Sequence, residues 1–246
     1  MLTFQHYLDE LGRQGRLLRE SARQAALQAP VPSCPGWTVS RLVGHTAKVH
    51  HWAAWILRGR DRDEFEFPTP ADDRLFEVYD AGLQDVLNRL RTAPDTLAVW
   101  TMTPASSAKL FWARRLAHET AIHRVDADLA SGYGVAGFEP EFAADGVDEL
   151  LTGSAARFDR SGLTSDRTIS LTPLDSNASW TLCIGPDQLS CRPVALDHAD
   201  LAVFGLADDL YRWVWNRAGD DDVALRGDLS LADRWRRDFT VRARHR

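Results

Sequence analysis

Residues 116–126 read LAHETAIHRVD and lie in the middle of a long stretch with helical periodicity. Glu119 and His123 are four residues apart, so they share one face of a helix. Leu116 precedes them on the same line, and Asp126 continues it. The line is apolar at its start and ionisable over its last two turns. A buried carboxylate and imidazole need partners, because desolvating either group alone is costly.

His118 and Glu119 followed by His123 superficially resemble the zinc-protease motif H-E-x-x-H. That motif needs two histidines four residues apart, on one helix face. Here they are five apart, and at roughly 100° per residue they point in different directions. The stretch alone leaves two interpretations open: a solvent-exposed Glu–His pair, or part of a metal site.

A second stretch, residues 42–52, reads LVGHTAKVHHW. Its spacing places His45 on a stripe with Leu42, Val49 and Trp52, which predicts that His45 faces the protein interior. A core histidine bonded to a backbone carbonyl is the alternative. An inward histidine on one helix and an inward Glu-x-x-x-His on another would together supply three convergent ligands.

The set His45, Glu119 and His123 suits zinc or a similar divalent ion. Three protein ligands leave coordination positions open, which is typical of catalytic rather than structural sites. The neighbouring His50, His51 and His118 are interpreted as surface residues or as supports of the ligands.

Four long amphipathic helices are predicted in the first half of the chain, and they indicate a helical bundle. Thr38 is a plausible N-cap of the second helix, Asp72 or Asp73 of the third, and Ser106 or Ser107 of the fourth. The predicted helices cover residues 2–27, 38–57, about 73–90 and about 107–130.

The second half predicts a small α+β domain. The turn at residues 175–177 joins two predicted strands into a hairpin. The predicted order is a helix at 140–158, strands at 168–172 and 179–184, a helix at 198–217, an apolar piece at 223–225 and a helix at 229–237. We place the domain boundary near Gly134, giving domains 1–134 and 135–246.

Composition narrows the function classes. The net charge of −6 makes nucleic acid an unfavourable partner, because like charges repel. Three cysteines argue against a disulfide framework. No stretch approaches the roughly 18 apolar residues of a membrane span. We therefore expect a cytoplasmic protein, a monomer or a homodimer, that acts on a small molecule.

Three stretches together resemble the mycothiol-dependent maleylpyruvate isomerase family: VPSCPGWTV at 31–39, LVGH at 42–45 and AHETAIHRVD at 117–126. The resemblance implies a DinB-like four-helix bundle followed by a sterol-carrier-like domain. It also implies a divalent metal, usually zinc, held by residues that match His45, Glu119 and His123. A functionally important aspartate matches Asp126, and an arginine of the second domain matches Arg217.

The resemblance favours an enzyme that uses mycothiol to isomerise, or transfer a thiol to, a small electrophilic substrate. Isomerisation would proceed by addition of the thiol, rotation about the transient single bond and loss of the thiol. Asp126 would orient His123 or hold the cofactor, and Arg217 would bind a substrate carboxylate. The alternatives are a metal-dependent hydrolase, which needs no thiol, and a non-catalytic module that binds a small ligand.

Several other residues are interpreted structurally. Cys34 lies in a Pro-Gly turn with no neighbouring base in the sequence. The tryptophans near the two motifs are interpreted as core residues: Trp37, Trp52, Trp55 and Trp112. The arginines of the fourth helix are interpreted as a solvated face: Arg114, Arg115 and Arg124.

Overall fold

The computed structural model describes residues 2–154, 164–187 and 189–238. The chain divides into two compact units, Met1–Ala136 and Gly137–Arg246. The division falls two residues after the predicted boundary at Gly134. Among the described residues, no helix has both the length and the apolar character that crossing a membrane requires.

The first unit consists of four α-helices, with α1 packed mainly on α4 and α2 mainly on α3. Its interior is formed by apolar side chains from all four helices, among them Tyr7, Leu11, Leu42, Tyr79, Val86, Trp112 and Leu116. The helices are α1 (Phe4–Gln24), α2 (Val39–Leu57), α3 (Leu75–Thr92) and α4 (Ala108–Ser131).

Side-chain caps fix the starts of the two helices that carry the predicted ligands. Thr38 accepts a hydrogen bond from the Arg41 amide of α2, and Ser107 accepts one from the Leu110 amide of α4. Gly132 ends α4 in the left-handed conformation, at φ 75°. These caps confirm the predicted limits of both helices.

The predicted cap of α3 was wrong. The helix begins after Arg74, whose side chain makes no capping bond. The Asp72 carboxylate instead accepts hydrogen bonds from Gln28 and from Ser40 in the first turn of α2. Asp72 therefore ties the start of α2 to the loop before α3 rather than capping α3.

Within its described residues, the second unit contains a five-stranded sheet and three α-helices. The sheet order is β3-β2-β1-β4-β5; the β1–β4 pair is parallel and the other pairs are antiparallel. The strands are β1 (Arg167–Pro173), β2 (Trp180–Ile184), β3 (Leu189–Arg192), β4 (Leu201–Gly205) and β5 (Ala224–Gly227); the helices are α5 (Pro140–Glu149), α6 (Ala207–Val214) and α7 (Ser230–Asp238).

The β1–β2 hairpin confirms the sequence prediction. The apolar piece predicted at 223–225 lies at the start of strand β5. The predicted helix at 198–217 was wrong, because its first part is strand β4. Leu201, Val203 and Gly205 are buried while Ala202 and Phe204 are less so, which is the period of a strand. The predicted helix at 140–158 ends as α5 at Glu149 and continues as a wider turn to residue 154; residues 155–158 lie outside the described ranges.

Candidate metal centre

The side chains of His45, Glu119 and His123 converge between α2 and α4. Glu119 Oε1 lies 3.5 Å from His45 Nε2 and 3.2 Å from His123 Nε2. One ligand atom from each residue falls within 4.8 Å of the others. Donor atoms bound tetrahedrally at zinc distances lie about 3.3 Å apart. The two histidines and the glutamate therefore fit a divalent ion in both donor type and spacing.

One side of this trio faces solvent. The His45 side chain is 25% exposed, Glu119 is 21% exposed and His123 is 11% exposed. An ion held by all three would thus be reachable by a small molecule. That arrangement is typical of a metal site with an open coordination position rather than a closed structural one.

Neighbouring charged and hydrogen-bonding groups shift the pKa values of the two candidate ligands on helix α4, Glu119 and His123. Burial raises the pKa of Glu119, but the Arg115 guanidinium, 2.5 Å from Oε2, and hydrogen bonds from both histidines outweigh this and hold that pKa well below its usual range. Burial lowers the pKa of His123, yet hydrogen bonds to Asp126 and Glu119 raise it to about 9. The metal-free trio therefore carries a proton that a metal ion would displace.

Asp126 lies directly behind His123 and is fully buried. Its Oδ2 accepts a hydrogen bond from His123 Nδ1 at 2.8 Å. Ser33 donates to Oδ1 at 2.5 Å, and the Cys34 thiol lies 3.5 Å from Oδ2. A carboxylate only accepts, so His123 Nδ1 carries a proton, and Nε2 is the nitrogen of His123 that faces Glu119 in the trio. The sequence around Cys34 offers no base, so this contact with Asp126 depends on the fold.

The loop before α2 places Trp37 beside the trio. The Val31 amide donates to the Trp37 carbonyl and the Trp37 amide to the Cys34 carbonyl, each at 2.9 Å. The indole ring lies edge-on to the His45 ring at 5.0 Å and stacks with the His123 ring at 6.2 Å. Trp37 is half-buried, so its interpretation as a core residue was wrong. It forms a wall of the site.

The three neighbouring histidines are less exposed than the surface interpretation implied. His50 and His118 are fully buried, and His51 is half-buried with its Nε2 3.1 Å from the Val78 carbonyl. His50 Nε2 lies 2.9 Å from the Thr120 hydroxyl, the residue next to Glu119. His50 and His118 are interior residues because α2 and α4 are covered on more than one face.

His50 makes unfolding pH-dependent. Burial, assisted by the nearby His51, lowers the pKa of His50 from 6.5 to about 3. Between pH 6.5 and about 3, His50 is therefore protonated in the unfolded state and neutral in the folded state. The free energy of unfolding consequently falls as the pH drops below about 6.5. We expect His50→Gln to lose about 2 kcal/mol less stability than wild type between pH 7 and pH 5. Urea unfolding followed by tryptophan fluorescence measures the free energy of unfolding at each pH. An equal decrease in the wild type and in His50→Gln would contradict the prediction.

The arginines of α4 are not a solvated face. Arg124 is 1% exposed, and Arg115 is ion-paired with Glu119. Arg114 is half-buried. The predicted catalytic arginine, Arg217, lies in the second unit after α6, where its guanidinium donates to the Trp215 carbonyl at 2.7 Å. Its role stays a prediction.

The four-helix bundle directs histidine and glutamate side chains from two helices to one point, an arrangement that is also used by bundles that hold a metal in their core. Residues 8–128 match the family described as mycothiol maleylpyruvate isomerase N-terminal domain. The helical unit of this chain therefore belongs to that family, as the sequence motifs predicted. The matched range contains His45, Glu119, His123 and Asp126, and excludes Arg217.

Two of the similar solved structures share the fold of this chain over most of its length. A crystal structure of the mycothiol-dependent maleylpyruvate isomerase matches with a TM-score of 0.64 at 16% identity, over 91% of this chain and 93% of that one. A histidine-to-alanine mutant of that isomerase matches with a TM-score of 0.64 at 15% identity over the same shares. The predicted α+β fold is confirmed. No curated protein sequence matches significantly.

Proposed function

We propose that this chain is a divalent-metal-dependent enzyme that uses a low-molecular-weight thiol, mycothiol or a close analogue, on a small electrophilic substrate. The reaction is either isomerisation, as in the name of the related mycothiol-dependent isomerase, or thiol transfer. The observation that carries the proposal is the convergence of His45, Glu119 and His123 at a solvent-facing point, with donor spacings suited to zinc.

The residues divide the work. His45, Glu119 and His123 would hold the ion, which when bound would lower the pKa of a coordinated thiol and so supply a thiolate. Asp126 holds the proton on His123 Nδ1 and keeps Nε2 directed at the ion. Arg115 fixes one oxygen of Glu119 and leaves the other facing the histidines. Trp37 restricts the motion of both histidine rings and excludes water from one side.

The direct test combines metal-loaded chain, mycothiol and maleylpyruvate and follows fumarylpyruvate formation. We expect conversion faster than in the thiol-only control, and none from chain treated with a chelator. Conversion no faster than in the thiol-only control would exclude maleylpyruvate as the substrate of this chain. Thiol transfer to other electrophiles would then be screened with the same protein.

Hydrolysis is the second candidate, and one observation weighs against it. The hydrolase hypothesis assigns the role of base to a carboxylate beside the open position of the ion. Glu119 is engaged by Arg115 and both histidines, and Asp126 by His123 and Ser33. Thiol dependence separates the two candidates, because hydrolysis requires no thiol.

Asp126 is expected to act as a positioning residue. Replacing it with alanine removes the acceptor that orients His123, so metal affinity should fall about ten- to hundredfold. Asp126→Asn keeps a hydrogen-bond acceptor without the charge, so its metal affinity should lie between those of the wild type and Asp126→Ala. Competition with a chromophoric chelator measures both. Ser33→Ala, which removes only the bond from the loop, serves as control. Wild-type affinity in Asp126→Ala would contradict the role.

A further inference from the structure

Helix α2 is joined to helix α4 by polar contacts on two sides. The outer contact is His45 Nε2 to Glu119 Oε1, at 3.5 Å, between two partly exposed side chains. The inner contact is His50 Nε2 to the Thr120 hydroxyl oxygen, at 2.9 Å, between two fully buried side chains. Around each helix axis the outer and inner residues lie about 100–140° apart, because they are one or five positions apart in sequence. The inner contact therefore holds the two helices on a different side from the trio.

The His50 ring depends on Thr120 for its hydrogen bonding. Its other ring nitrogen, Nδ1, is buried and has no hydrogen-bond partner within the part of the chain that the structure describes. A buried polar group without a partner is costly, because it has lost its bonds to water and gained none in return. Loss of the Thr120 hydroxyl would leave both nitrogens in that state. The position of this ring is therefore coupled to the position of the hydroxyl.

Helix α3 supports the His50 ring from the side opposite α4. The Tyr79 ring lies 5.6 Å from it, and the Tyr79 hydroxyl donates to the Gly15 carbonyl of α1 at 2.9 Å. A Cβ at Gly82 would lie 3.3 Å from His50 Cβ and 2.8 Å from His51 Cδ2, so α3 approaches α2 closely here. The His50 ring cannot retreat towards α3. Its bond to α4 therefore helps to determine how far α4 lies from α2.

The trio requires a fixed distance between these two helices. His45 comes from α2, whereas Glu119 and His123 both come from α4. Thr120 directly follows Glu119, so a displacement of the Thr120 backbone also displaces that ligand. We propose that His50 and Thr120 are positioning residues, whose buried hydrogen bond sets the distance from His45 to the two candidate ligands of α4. This inference rests on the proposed metal-dependent function and adds to it the residues that set the ligand spacing.

The test compares two buried threonines whose hydroxyls bond to different partners. Thr120→Val removes the hydroxyl that reaches α2, whereas Thr46→Val removes one that donates to the Leu42 carbonyl within α2 at 3.0 Å. Both threonines are fully buried, and each change replaces a hydroxyl with a methyl group. Thr120→Ser keeps the hydroxyl. Competition with a chromophoric chelator measures the zinc affinity of each full chain, and the visible absorption of bound Co²⁺ reports the geometry of its ligands.

We expect Thr120→Val to bind zinc about tenfold more weakly, which is the lower end of the effect of residues that support metal ligands. Its Co²⁺ spectrum should also change. Thr120→Ser and Thr46→Val should keep the affinity and the spectrum of the wild type. A bond with only a structural role would lower the free energy of unfolding of metal-free Thr120→Val and leave affinity and spectrum unchanged. That outcome, or an equal loss of affinity in Thr46→Val, would overturn the inference.

The outcomes separate this inference from the proposed function. If Thr120→Val does not fold, Thr120→Ala gives the same comparison, because its smaller side chain cannot overfill the site. A wild-type chain that takes up neither zinc nor Co²⁺ would contradict both proposals. If Thr120→Val weakens metal binding while thiol-dependent turnover is absent in the wild type, the proposed reaction fails and the positioning role stands. Turnover in the wild type together with unchanged zinc affinity in Thr120→Val would give the reverse result.

Discussion

Replacing His123 with alanine is expected to remove the metal from the chain. Purified without chelators or an affinity tag, wild type should carry about one equivalent of zinc or a similar ion. The variant loses one of three ligands, and its affinity should fall more than about hundredfold, beyond the effect of losing a supporting residue. Elemental analysis of both proteins measures it, and thiol-dependent activity should disappear with the metal.

The control for this experiment is His198→Ala, which removes an exposed histidine of the second unit. His198→Ala should retain the metal. Loss of the metal in His123→Ala alone would then be an effect of changing the trio, not of removing any histidine. Circular dichroism of His123→Ala should remain helical. A wild-type chain that is metal-free and takes up no added zinc would contradict the site, and a binding module would then be the better interpretation.

Local spacing was sufficient to predict which way each side chain of the trio faces, but it left open whether the two helices bring the three side chains together. Glu119 and His123 had to share a face because they are four residues apart, and the apolar stripe through Leu42 aimed His45 inward. Both statements depend only on helix geometry. The caps at Thr38 and Ser107 were predictable for the same reason, since a hydroxyl three residues before an amide of the first turn is a local arrangement.

The loop contribution to the site depends on tertiary contacts. Trp37 and Cys34 lie in a Pro-Gly turn, and nothing in that turn reveals that it packs against α4, about ninety residues later. The cluster of Trp37 and Arg41 around His45 had one usable signal: Arg41 is one turn before His45. The sequence interpretation made no use of that spacing.

Strand β4 was misread for a different reason. Leu201 and Phe204 are three residues apart and mimic one turn of a helix, while Leu201, Val203 and Gly205 give the alternation of a strand. Over five residues the two periods cannot be separated by sequence alone. The parallel pairing of β4 with β1 then determines the outcome. The tertiary partner, not local preference, selected the structure.

Helix α4 is buried on more than one face, whereas the sequence pattern was interpreted as a single buried face. Arg124 was predicted to be solvated, yet it is almost completely buried between α1 and α4. Its Nε donates to Gln14 at 3.0 Å, and its Nη1 donates to Asp128 at 2.6 Å and to the Ala136 carbonyl at 2.5 Å. Asp128 also accepts from Ser21 of α1. The network joins two helices and the end of the bundle.

Removing one member of this network should have the largest effect on stability. Asp128→Ala leaves the buried Arg124 charge without its carboxylate, and we expect the free energy of unfolding to fall by about 3–5 kcal/mol. Chemical denaturation of the metal-free chain measures it. The control is Asp95→Ala, whose carboxylate is 95% exposed and paired with Lys109; its loss should cost less than about 1 kcal/mol.

A double variant distinguishes the energetic effect of the Arg124–Asp128 charges from the effect of the volume that the two side chains fill. Arg124→Met with Asp128→Leu removes both charges and keeps most of the volume, so it should be more stable than Asp128→Ala alone. The reason is that the cost arises from one unpaired buried charge, not from loss of the attraction itself. A double variant as unstable as Asp128→Ala would mean that the bonds to Gln14, Ser21 and Ala136, rather than the charge pair, hold α1 against α4.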